Sequence, residues 1–175
     1  MHNSHTSTLI DLHPLTGVVL DSYNEAHNIF ADLANRLYDL LIASKGGDPH
    51  DYAITESIDM LISHTAQQFE YENKEMQRRA FPAAPQHIEE HREALEKLVR
   101  ARRKWLTAGN ADRLDHYLTR ELAPWLVSHI TRMDSVAAMY IAADKMVPEK
   151  PESKATPSAA LNASESNKPD SLSGR

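Results

Sequence analysis

The sequence predicts an all-α fold, an antiparallel up-down four-helix bundle, and three observations carry that prediction. Apolar residues recur at steps of three and four across four long segments, the period of a half-buried helix. Alternation of the kind a strand needs is almost absent. The five glycines lie at the edges of the periodic segments, where helices stop.

The elements follow in order. Residues 1–19 read as an irregular N-terminal arm, with "TLIDL" able to pack across the bundle and with His2, His5 and His13 given no ligand role. Residues 20–146 hold the bundle. A first helix is predicted from about Ser22 to Ser44 on Ala26, Ile29, Phe30, Leu33, Leu37, Leu40 and Leu41, and "SKGGDPHD" ends it. A second, about Thr55 to Ala80, turns Ile58, Leu61, Thr65, Phe69, Glu72 and Met76 inward before "FPAAP" closes it. The third, about Gln86 to Leu106, carries Ile88, His91, Leu95, Leu98 and Trp105. "TAGNAD" then leads into a fourth stretch from Ala111 to Lys145, with a kink or short break expected near Ala123, since the Pro124 ring removes a hydrogen bond and crowds the preceding turn. Short connections favour antiparallel neighbours. From 147 to 175 the chain is rich in Pro, Ser, Ala and nearly cancelling charges and reads as a disordered tail.

Composition excludes several functions. The formal charge of −6 argues against a nucleic-acid partner, and the basic run "RARRK" at Arg100 to Lys104 reads as a solvated helix face. No apolar run approaches the ~20 residues that span a bilayer, and no secretory signal pattern opens the chain, so no membrane insertion and a cytoplasmic location are expected. Without cysteine, a metal would be held by His and carboxylate.

The chemistry concentrates in the ten histidines. "HIEEH" places His87 and His91 one turn apart on one helix face, where two imidazoles can hold one ion. An isolated pair of this spacing also arises by chance on surfaces. These two, however, share the inward side with Ile88, Leu95 and Leu98, and His129 sits between Leu126 and Met133, five residues before Asp134. Buried imidazoles and carboxylates are costly unless paired, hydrogen-bonded or bound to metal. With His27 and Glu72 the set draws on all four helices, and its nitrogen and oxygen donors suit iron, manganese or zinc better than copper(I).

Over roughly Tyr23 to Ile141 the chain resembles the hemerythrin family. "NEAHNIFADLANRL" is similar to the family's first-helix segment, "QFEYENKEM" to its HFxxEExxM, "HIEEHREAL" to its HxxxH and "WLVSHITRMD" to its WLxxHIxxxD, in the same order and at the same spacing. The resemblance implies two non-haem, carboxylate-bridged iron ions. His87, His91 and His129 would hold one, Glu72 and Asp134 would bridge, and His27 would hold the second, where O2 binds in the family. The companion of His27 should be a histidine four residues before Glu72, and this chain has Gln68 there.

Three outcomes are open at that position: Gln68 or a water completes a weaker second site, the second metal is lost, or His64 substitutes. His64 lies a full turn further toward the N-terminus and leans away. The resemblance implies an O2-binding protein for storage, delivery or sensing, whose ligand is O2 or a related small diatomic or peroxide, rather than an enzyme. The alternatives are a di-iron oxidase or peroxidase or a nitric-oxide- or redox-responsive protein, and a mononuclear or metal-free binding module with an unknown protein partner. Phe30, Phe69, Leu126 and Ile130 are candidates for an apolar lining, and Tyr71 is read as facing away from the site.

Overall fold

A computed structural model describes residues 8–12, 21–45 and 51–146. All four predicted helices are present, and the described residues contain no strand. Helix α1 spans Asp21–Lys45, α2 Asp51–Arg78 and α3 Ala84–Ala108. The fourth is a continuous rod of three α segments, α4 (Ala111–Tyr117), α5 (Ala123–His129) and α6 (Ser135–Met146), joined by π turns at Leu118–Leu122 and Ile130–Asp134. None of these helices is long and apolar enough to cross a membrane. The His2, His5 and His13 readings and the tail from 147 to 175 lie outside the described residues.

Cross-helix contacts set the antiparallel order. Tyr23 near the start of α1 meets Tyr71 near the end of α2. The indole N–H of Trp105, late in α3, donates to Thr55 Oγ1, early in α2, at 3.1 Å. Lys45 closes α1 by pairing with Asp112 and Asp115 in α4 at 2.9 and 2.6 Å. Arg102, inside the basic run, forks onto Asp59 of α2. One member of that run therefore ties two helices together instead of only meeting solvent.

Local chemistry explains the helix ends. α3 begins at Ala84, two residues before the predicted start, because Pro85 is tolerated in a first turn whose N–H groups lack intrahelical partners. α2 ends in a left-handed cap at Ala80 (φ 51°), with Ala80 N donating to Gln77 O at 3.0 Å and Phe81 N to Met76 O at 2.9 Å. α3 ends the same way on Gly109 (φ 55°), whose N–H reaches Trp105 O. Asn110 then caps α4 by accepting from Arg113 N at 2.9 Å.

One expectation is sharpened and one needs correction. The interruption expected near Ala123 takes the form of a π turn at Leu118–Leu122, with a new α segment starting at Ala123. Ala123 N bonds Leu118 O, and the chain stays helical through Pro124. Ile29 does not face the core and is 42 % exposed. The buried stripe of α1 runs through Tyr23, His27, Phe30, Ala34, Leu37 and Leu41, and Ile29 stands two residues, about 200°, from His27. In the N-terminal arm, Ile10 is buried against the bundle and exchanges two hydrogen bonds with Asn35, at 2.8 and 2.9 Å. "TLIDL" thus packs as its composition predicts.

Candidate metal centre

All seven side chains singled out from the sequence are buried: His27, Gln68, Glu72, His87, His91, His129 and Asp134. Six of them fall into two overlapping groups. His87, His91, His129 and Asp134 bring donor atoms within 4.8 Å of one another, and so do His27, Glu72 and Asp134, with Asp134 common to both. Gln68 lies beside the second group. His64 lies in neither, and its Nε2 is 2.9 Å from the backbone oxygen of Ala26 on α1.

A backbone irregularity brings His129 and Asp134 together. In a regular α-helix, residues five apart are separated by about 140° around the axis. The second π turn closes Ser135 N onto Ile130 O, and Ser135 Oγ reinforces it on the same oxygen at 2.7 Å. A turn bonded from i to i−5 stacks residues five apart, and the His129 Nε2 to Asp134 Oδ1 distance is 3.2 Å.

The imidazoles are aimed by their outer nitrogens. His91 Nδ1 is 2.8 Å from Asn73 Oδ1, and His129 Nδ1 is 3.1 Å from Glu90 Oε2. Both outer partners are oxygens, so Nδ1 carries the proton and donates, leaving a lone pair on Nε2. Phe69 stacks on His91 with ring centroids 3.9 Å apart, and Trp125 stacks on His129 at 4.7 Å. Both rings are clamped. The His129 Nε2 atom is 3.1 Å from His87 Nε2 and 3.0 Å from His91 Nε2. Ring nitrogens this close need a proton or a metal cation between them, since two facing lone pairs repel.

The carboxylates converge in the same way. His27 Nε2 is 2.9 Å from Asp134 Oδ2, His87 Nε2 3.0 Å from Asp134 Oδ1 and His91 Nε2 3.3 Å from Glu72 Oε2. Yet His27 Nε2, Asp134 Oδ1 and Glu72 Oε2 have no partner in hydrogen-bonding geometry among the described residues. Close approach without that alignment means the atoms point at common centres. An ion about 2.0–2.1 Å from two donors at right angles would hold them about 3 Å apart, the spacing seen here. The donor set fits a bound metal.

Electrostatics support the arrangement. Burial, then the neighbouring His87 and His129, push the His91 pKa down to about 2, so its ring stays neutral near pH 7. Burial works against ionised Asp134, but the close imidazoles of His129, His27 and His87 outweigh it and hold the carboxyl well below its usual range. Glu72 goes the other way. Burial and the charge of Asp134 raise its pKa, opposed by the hydrogen bond from Gln68.

Gln68 has a defined orientation. Its amide nitrogen donates to Glu72 Oε1 at 2.8 Å, and the carboxylate requires the NH2 end there. Gln68 Oε1 is left buried without a partner among the described residues.

The family model of the hemerythrin HHE cation-binding domain matches residues 18–141. The chain belongs to the hemerythrin family. It is also similar to a protein named bacteriohemerythrin from Aquifex aeolicus (strain VF5), 31 % identical over 109 residues that cover 62 % of this chain and 79 % of the relative.

Sequence reasoning missed three side chains around this candidate centre of a hemerythrin-family chain. Glu90 lies inside "HIEEH" itself, and Asn73 directly follows Glu72. Either would have been found by asking what accepts the outer proton of each imidazole. The third is Tyr23, 1 % exposed and four residues before His27 on the same face of α1, with ring centroids 6.4 Å apart. Its hydroxyl has no partner among the described residues, and burial, then Glu72 and Asp134, raise its pKa. Tyr71 is half exposed, as expected for a side chain turned from Glu72, but its ring packs edge-on against Tyr23 at 6.5 Å.

Proposed function

We propose that this chain is a non-haem di-iron protein that binds O2 for storage, delivery or sensing, with its second iron position altered at Gln68. The observation that carries this reading is the pair of buried donor groups sharing Asp134. His87, His91 and His129 would hold one iron, Glu72 and Asp134 would bridge, and His27 with the neutral oxygen of Gln68 would serve the second. Bound iron would supply the electrons that O2 takes up and returns.

The chain's own residues prepare the site. Asn73 and Glu90 keep protons on the outer nitrogens of His91 and His129, so these ligands present lone pairs without first losing a proton to solvent. Phe30, Phe69, Leu126 and Ile130 are all buried and keep the surroundings apolar, which disfavours entry of water. Gln68 is a weaker donor than imidazole, and a weaker second position would make O2 binding less reversible than with a histidine there.

Metal analysis and optical spectroscopy test the proposal. Protein reconstituted with iron(II) without air should hold close to two irons per chain, then develop a visible charge-transfer band in air that reverses on deoxygenation. A second reading, a mononuclear centre, draws on the completeness of the His87, His91, His129 and Asp134 group by itself. It predicts iron near one per chain. Steady consumption of peroxide would favour the oxidase or peroxidase alternative.

A further inference from the structure

We propose that the Tyr23 hydroxyl is the hydrogen-bond donor for the small anionic ligand that binds beside His27, so that Tyr23 determines ligand affinity in this chain. This rests on the two-metal reading of the site. Tyr23 is almost wholly buried, and a phenol placed there would ordinarily find an acceptor, since leaving a buried donor unmade costs free energy. None is present among the described residues.

The surroundings say what the acceptor is. Tyr23 and His27 project from the same face of α1, with the rings edge to face. The ring of Tyr71 packs edge-on from α2 and restricts where the Tyr23 ring can lie. The charged groups acting on the hydroxyl include Glu72 and Asp134, the proposed bridging carboxylates, with Glu75 and the Tyr71 hydroxyl contributing less. The hydroxyl thus shares the electrostatic neighbourhood of the second donor group. A second unpartnered polar atom, Gln68 Oε1, is buried beside that group.

A phenol with an ordinary pKa near 10 is protonated at neutral pH and offers one donor. A buried donor, aimed by two rings and lacking an acceptor, fits a small anion held by the second metal. A structural tyrosine would instead be bonded within the fold.

The test compares the full-length wild type with Tyr23→Phe and Tyr71→Phe, each loaded with iron and oxidised, with azide as the probe. Iron content should be the same in all three. Azide affinity should fall about tenfold or more in Tyr23→Phe, the loss expected for one hydrogen bond to a charged group, and stay unchanged in Tyr71→Phe. The azide vibrational band should shift in D2O in the wild type and lose that shift in Tyr23→Phe. The metal-free Tyr23→Phe protein should melt no lower than the wild type, since the substitution removes an unpartnered group and keeps the ring. Unchanged azide affinity at equal iron content overturns the proposal. So does an intense phenolate band in the oxidised wild type that vanishes in Tyr23→Phe, which would make Tyr23 a metal ligand. Absence of iron from the wild type itself would remove the two-metal reading, and the proposal with it.

Discussion

On the proposed two-iron reading, one side chain would decide how the second metal position behaves. Gln68 is held by its own amide nitrogen on Glu72 Oε1, so its oxygen is the only donor it can offer. Replacing it with histidine supplies an imidazole nitrogen one turn from Glu72. Gln68→His should raise iron content toward two per chain where the wild type falls short, and should slow loss of the second iron to a chelator. If metal content and O2 behaviour do not change, Gln68 does not serve the second iron. His64 provides the contrast. Its ring is tied to the Ala26 carbonyl oxygen, a link between α2 and α1, and not to the donor cluster. His64→Leu is expected to lower stability by about 1 kcal/mol, the net worth of one hydrogen bond, measured by denaturant unfolding, with iron content unchanged. Loss of one iron in that variant would return His64 to the ligand set.

At the scale of the element, the two π turns and the two left-handed caps set the phase of each helix. A π turn is an α-helix with one residue to spare, so removing one exposed residue from the second should restore regular helix. The flanking faces would then stay in register. Deletion of Thr131, exposed within Ile130–Asp134, would put the His and Asp four apart, again on one face. Metal content should survive. If it is abolished in a folded protein, the π turn does more than set phase. At the end of α2, Ala80 holds a left-handed conformation that its Cβ disfavours, so Ala80→Gly should stabilise by about 0.5–1 kcal/mol in thermal unfolding. Gly109→Ala should do the reverse by about 1 kcal/mol. A Cβ there would meet nothing within 4 Å, so the cost is backbone strain alone.

For the whole molecule, metal and fold are linked, because the donors converge from every helix and lie buried without full hydrogen bonding. Iron at a thousandfold excess over its dissociation constant would add about 4 kcal/mol to unfolding. Stripping it with a chelator should therefore lower the melting temperature by several degrees, and restoring iron should return it. No change on chelation would mean that the buried donors are not the metal site.

Much of this architecture is legible in the chain itself. The helices announce themselves because burial on one face imposes a period of 3.6, and the inward stripe predicted for α2, from Ile58 to Met76, is buried at every position. The candidates His27, Glu72, His87, His91, His129 and Asp134 can be named because imidazoles and carboxylates on core faces are costly without a purpose, and Gln68 is added only by the resemblance of its segment to the family's motif. Ile29 is misplaced by periodicity because several rotations of α1 bury nearly equal apolar area, and only packing against the other helices chooses among them. The kink or short break expected near Ala123 takes the form of a π turn, whose type periodicity does not reveal because it does not show where a helix absorbs an extra residue. Residue type and local spacing are enough to determine the helices and their order and to nominate the candidate donors. The assembled bundle decides that Asp134 joins both groups, that Asn73 and Glu90 aim the imidazoles, and that Tyr23 keeps an unpartnered hydroxyl. Those facts depend on which atoms from distant parts of the chain meet, and on a shift of backbone phase that no local pattern encodes.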